Sequence, residues 1–145
     1  MVHSQKIFPL DLFERFFSPL SAHMVEYKEM LYATAEHAYH CQRYTDPTIR
    51  KEIETARSPQ KAWEASQKHK SQQLPDFNDR KVAVMEDIFR AKLAQHEDVK
   101  EALKNSGDEV IVKNYPDPFW GIGKDGDGKN EMGKIWMKLR EELKR

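Results

Sequence analysis

Asp79-Arg-Lys-Val-Ala-Val-Met-Glu-Asp-Ile-Phe-Arg-Ala-Lys-Leu-Ala-Gln95 reads as one long amphipathic helix. At roughly 100° per residue, Val82, Met85, Ile88, Phe89 and Leu93 share one apolar arc. Lys92 falls near the middle of that arc. An ammonium aimed at a core is costly unless it is paired. A lysine so placed suits a nucleophile or Schiff-base former. The plainer alternative is a stem that snorkels near the helix end.

Helical signals also surround this segment. Glu97 to Asn105 reads as a short helix ended by Gly107. Upstream, Ser58-Pro59 and Asp46-Pro47 each place a capping side chain before a proline at the first helical position. The helix from Ser58-Pro59 is expected to reach His69. Thr34 looks like the cap of a further helix, Ala35 to about Tyr44. Before it, Val25, Tyr27 and Met30 alternate with charges between Met24 and Tyr32, as in a small hairpin. Downstream, Val110, Ile111 and Val112 lie within Glu109 to Lys113. That β-branched run predicts a buried strand. A loop follows, from Asn114 to Lys129. The last helix starts near Asn130 with the stripe Met132, Ile135, Trp136, Leu139 and Leu143. The expected fold is α+β and α-rich: a single domain over 1–145, with about six helices and a small β element.

Charge narrows the function classes. The chain has 145 residues and carries 24 basic and 24 acidic ones. A zero net charge argues against general nucleic-acid binding, which usually needs a basic excess. Cys41 is the only cysteine, so no intrachain disulfide forms, as suits a reducing compartment. The apolar stretch Ile7 to Leu20 is interrupted by Asp11, Glu14 and Arg15. It therefore fits neither a signal core nor a membrane span, and a cytoplasmic location is expected.

Two further segments carry potential chemistry. Five of the six glycines lie between 121 and 133. They follow Asp117-Pro118-Phe119-Trp120, a loop where backbone N–H groups could approach a ligand beside a flat indole. Gly121-x-Gly123-x-x-Gly126 matches the dinucleotide fingerprint in form only, because no βαβ unit surrounds it. Asp125-x-Asp127 begins like a calcium loop, but Asn130 and Trp136 stand where glycine and glutamate are required. In the helix after Thr34, Glu36, His40 and Arg43 share a face. A carboxylate there could work as an acid or base, or could simply favour the helix dipole. His37 and His40 have a metal-like spacing without a third ligand nearby. Arg140 lies just off the last helix's stripe, within reach of a phosphate.

Taken in order, these pieces resemble the YbiA-like family, also called the NADAR domain family. The matching pieces begin with Tyr32-Ala33-Thr34-Ala35-Glu36-His37-Ala38-Tyr39 and the Ser58-Pro59 helix start. Met85, Arg90-Ala91-Lys92 and Gln95 follow on the long helix. Asp117-x-x-Trp120-Gly121-x-Gly123 and Asn130-x-x-Gly133, with Met137 and Arg140, complete the set. The resemblance runs from about Ser18 to the C-terminus. It implies an N-glycosidase acting on a small ribosylated substrate without a cofactor or metal. The two substrate classes it implies are phosphoribosylated riboflavin-pathway intermediates and ADP-ribose adducts. It assigns Glu36, Lys92 and Asp117 to catalysis. It assigns Tyr32, Trp120, Gly121, Gly123, Asn130 and Arg140 to substrate binding, with Gly121 and Gly123 offering N–H groups to phosphate. The expectation is that the acid, the amine and the glycine turn meet around one sugar-sized hollow.

Three positions depart from the family's pattern. Pro19 replaces the asparagine of Ser-Asn-Phe, Arg43 replaces a lysine, and Lys113 replaces a glutamate. They bear on substrate choice and on competence. They also keep open a module that binds ADP-ribose or a nucleotide without turnover. A structural partner protein is the third reading.

Overall fold

The computed structural model describes residues 5–114 and 116–145. Its elements are α1 (Leu10–Leu12), β1 (Val25–Tyr27), β2 (Met30–Tyr32), α2 (Ala35–Cys41), α3 (Pro47–Glu54), α4 (Pro59–Lys68), α5 (Phe77–Gln95), α6 (Glu97–Asn105) and α7 (Glu131–Leu143). The described residues thus hold seven α-helices and one two-stranded sheet, an α-rich α+β fold. The helix beyond the expected six is the three-residue α1. Among these residues no helix is long and apolar enough to cross a membrane. The chain divides into two units, residues 19–95 and residues 1–18 with 96–145.

In the unit of residues 19–95, the helix starts are local chemistry. Thr34 Oγ1 accepts from His37 N–H, Asp46 Oδ1 from Thr48 and Ile49 N–H, and Ser58 Oγ from Lys61 N–H. Each satisfies donors that a helix cannot satisfy internally. α2 packs on α3, α4 and α5. The apolar arc of α5 is buried at Met85, Ile88, Phe89 and Leu93. β1 and β2 pair antiparallel, Val25 opposite Tyr32 and Tyr27 opposite Met30. Lys28 and Glu29 form the turn, both with positive φ, as a two-residue hairpin with the right twist demands. Gln95 Oε1 accepts from Glu26 N–H and its Nε2 donates to Glu26 O, both at 2.8 Å. The end of α5 therefore closes the open edge of β1.

In the other unit, α1 runs into a π-helical turn, Phe13–Phe17, that buries both of its end phenylalanines. The Phe17 carbonyl accepts from Trp136 Nε1 at 3.1 Å, and the two rings stack with centroids 4.7 Å apart. The strand expected over 109–113 is corrected to a single parallel bridge, Ile7 with Val110. Its partner segment turns into α1 just after Pro9, so the ladder has no length in which to grow. Ile111 and Val112 are buried as expected. The Asn130 amide takes over their pairing: Oδ1 accepts from Lys113 N–H and Nδ2 donates to Ile111 O, both at 2.9 Å.

Candidate functional site

Glu36 stands in the first turn of α2, whose capping residue Thr34 is also tied to His37. The Thr34 hydroxyl lies 2.8 Å from His37 Nδ1, and His37 Nε2 lies 3.0 Å from the Ala56 carbonyl. A carbonyl only accepts, so Nε2 donates and Nδ1 accepts. Both nitrogens of this buried ring are therefore spent on structure, which removes His37 from chemistry.

His40 is committed differently. Arg43 Nε–H donates to His40 Nδ1 at 3.0 Å, which leaves Nε2 to donate to Glu36 Oε2 at 2.9 Å. Arg43 is fixed in turn by Gln73 Oε1 at 2.9 Å and by the rings of Phe77 and Tyr39, whose centroids lie 4.8 and 5.2 Å from its guanidinium carbon. A chain from Gln73 through Arg43 and His40 thus holds one oxygen of Glu36. Partners of this kind fix the orientation of the carboxylate. The spacing i, i+4, i+7 brought the three side chains together as the sequence implied.

The Glu36 side chain keeps 16 % of its surface exposed. It opens on a hollow of about 500 Å³ lined by Leu20, Glu36, Ser58, Pro59, Gln60 and Trp63. That volume suits a small-molecule ligand. Sequence reasoning missed Trp63 and Leu20. Trp63 sits between the buried Ala62 and Ala65 on α4, and its exposure depends on packing that periodicity does not report.

Lys92 is buried to 1 % exposure, as the α5 arc implied. Its Nζ donates to Ser21 Oγ at 2.6 Å, and Ser21 Oγ lies 2.7 Å from His23 Nδ1. Lys92 is not in the lining of the Glu36 hollow. Tyr32, expected at the substrate, is 1 % exposed, with its hydroxyl facing Gln42 and Arg50. Burial pushes its phenol above the usual range. It serves the core of its unit. Burial likewise raises the Cys41 thiol to about 11, which makes it a poor nucleophile.

The glycine loop belongs to the other unit. Asp117 Oδ1 accepts from Phe119 and Trp120 N–H at 2.7 and 2.8 Å, closing an Asx turn. Gly121 N–H donates to the Asp117 carbonyl, so the phosphate contact expected of that N–H is already taken. A Cβ at Gly121 would stand 2.6 Å from the Lys113 carbonyl, which explains the glycine by close approach. Further bonds run from Lys129 N–H to Pro118 O, Asn130 N–H to Gly121 O and Met132 N–H to Trp120 O. Trp120 is half-buried, edge-on to Phe119 at 5.0 Å. Gly123 has φ +72°, reachable without strain only by glycine. Asn130 has both ends of its amide on the backbone, as described above. Arg140 is 7 % exposed, and its NH1 donates to Ser106 Oγ and the Glu109 carbonyl. Lys113 pairs with Glu14 at 2.9 Å.

Comparison with known proteins shows the chain's family and fold. A NADAR domain model matches residues 5–144. The chain is 33 % identical to an N-glycosidase of Nostoc punctiforme, over 88 % of this chain and 85 % of that one. It is 30 % identical to the N-glycosidase YbiA of Escherichia coli, over 88 % and 80 %. A riboflavin biosynthesis protein of Vibrio vulnificus is 35 % identical over 76 % of this chain and 30 % of that longer one. The solved structure of the E. coli protein YbiA has a similar fold, with a TM-score of 0.80 at 30 % identity over 88 % of this chain and 76 % of that one.

Proposed function

The chain belongs to the NADAR domain family, and from that membership we propose that it hydrolyses the N-glycosidic bond between a ribose and a nitrogenous base. One observation carries this reading beyond family membership. The Glu36 carboxylate, held by His40 and Arg43, forms part of the wall of a hollow of about 500 Å³.

The chemistry follows from what the bond requires. Cleavage of C1′–N leaves an oxocarbenium-like ribose, while the bonding pair departs on the base nitrogen. A fixed carboxylate stabilises that cation without reorganising. As the water oxygen bonds to C1′, Glu36 accepts the water's proton. Lys92 is the second catalytic group in this reading, taken from the resemblance as the source of the leaving nitrogen's proton; it does not line the Glu36 hollow, and its Nζ is bonded to Ser21 Oγ. The other use of its amine is attack on the opened sugar's aldehyde, with loss of water to an imine. A borohydride-trapped adduct on Lys92 would select the imine, and none is expected. Asp117, Trp120, Gly121 and Gly123 enter on resemblance, as does Asn130. The substrates supported first are phosphoribosylated intermediates of riboflavin synthesis, since a relative is a riboflavin biosynthesis protein. ADP-ribose adducts come second. The protein is read as acting in the cytoplasm.

Incubation with a panel of ribosylated compounds, followed by mass spectrometry, tests the reading. Release of free base and ribose phosphate is expected. Calorimetric binding of the same compounds with no released base would make the protein a binding module instead.

A further inference from the structure

α4 begins with the Ser58 cap and Pro59 at its first position, and it buries Ala62, Ala65 and Ser66. Its outward residues Gln60, Lys61, Glu64 and Lys68 are polar or charged. Trp63 breaks that pattern, with 43 % of its surface exposed. Of the other two tryptophans, Trp136 is fully buried and Trp120 half-buried. An indole left in water forfeits much of the hydrophobic stabilisation that burial would return. Trp63 lines the same hollow as Glu36, and so does Leu20, itself 49 % exposed. Two uncovered apolar side chains and one fixed carboxylate therefore share a single lining.

We propose that Trp63 is the surface on which the leaving base stacks. The inference rests on the N-glycosidase reading and adds the residue that holds the base. A π face accepts any flat base without demanding a hydrogen-bond pattern. Glu36 serves the charged sugar end of the same ligand, where a carboxylate is useful and an indole is not. The division of labour is apolar contact for the base and negative charge for the ribose. Leu20 supplies further apolar wall, and a base inserted there covers both exposed side chains at once.

Two measurements test this together. The first is steady-state kinetics of Trp63→Ala and Trp63→Phe on the substrate that the panel identifies. Trp63→Ala is expected to raise KM by roughly ten-fold, the cost of one lost base–aromatic stack, and Trp63→Phe to recover most of that loss. The second is titration of tryptophan fluorescence with uridine monophosphate, guanosine monophosphate and ribose phosphate, with Trp120→Phe as the parent protein so that the other tryptophan carried as a substrate contact is silent. At least one nucleotide is expected to quench the parent's emission, ribose phosphate is not, and the nucleotide response should vanish when Trp63→Phe is added. An unchanged KM in folded Trp63→Ala overturns the proposal. So does a nucleotide response that survives the added Trp63→Phe, or the absence of one in the parent. If no panel compound is cleaved, the titration alone decides, so failure of the enzymatic reading and failure of the stacking surface are told apart.

Discussion

Helix α2 and the glycine loop after Asp117 look equally rich in chemistry as strings of residues, yet they use their polar groups in opposite ways. In α2 the backbone bonds to itself, Thr34 closes the first turn, and Glu36 is left to face a hollow with His40 and Arg43 behind it. In the loop the backbone has no regular partner. Asp117 Oδ1, the Gly121 N–H and both ends of the Asn130 amide are therefore consumed in satisfying it. The physical reason is the obligation to pair every buried backbone donor and acceptor. Regular structure meets that obligation through its repeat and releases side chains, whereas this loop meets it with irregular backbone bonds and also needs the side chains of Asp117 and Asn130.

That contrast can be broken at several points. Asn130→Ala should have the largest effect on folding. It strands Lys113 N–H and the Ile111 carbonyl, and it puts alanine at φ +53°. A loss of about 3 kcal/mol in urea unfolding is expected. A loss too small to measure would mean that the loop does not depend on its own side chains. Next comes Arg43→Met, which deletes the donor that fixes the His40 tautomer. Turnover should fall by roughly ten-fold, as for loss of an outer partner that orients a reactive group. Rates equal to wild type would show that Glu36 needs no support. Third is a pair at Asp117. Asn keeps the acceptor for Phe119 and Trp120, so Asp117→Asn should unfold at nearly the wild-type midpoint, while Asp117→Ala costs about 1 kcal/mol. If Asp117→Asn is nevertheless slow on substrate, the negative charge acts in the reaction beyond holding the turn.

The smallest effect lies on the surface of α3. Hydrogen bonds from Lys68 and His69 hold the Glu52 carboxyl below its ordinary 4.5. A carboxyl lowered by folding adds stability above its unfolded value and loses it as pH falls through the folded one. Glu52 is 37 % exposed, so screening limits its worth. Glu52→Gln should cost under about 0.5 kcal/mol at neutral pH. As pH falls through the folded value, the unfolding of variant and wild type should converge.

Legibility in the sequence followed the same divide. The starts of α2, α3 and α4 could be read because a cap and its donors lie within three residues of each other. The burial of Lys92 followed from the period of α5. Its partner Ser21, 71 positions away, is invisible to any period. The expected strand at 109–113 depended on how far a distant segment would run beside it, and Pro9 ended that run at a single bridge. The π-helical turn at Phe13–Phe17 lay inside an apolar stretch that was read only for what it excluded. Tyr32 belongs to the family's block and is buried in its unit, and block membership alone does not separate a residue that packs from one that touches a ligand.

Single-turnover cleavage by Glu36→Gln, measured on a ribosylated substrate of the wild-type protein, tests the account most directly. The amide keeps the shape and an acceptor for His40 but removes the charge. The account predicts a rate lower by about a hundred-fold or more with an unchanged unfolding midpoint. A folded Glu36→Gln that cleaves at the wild-type rate would contradict it.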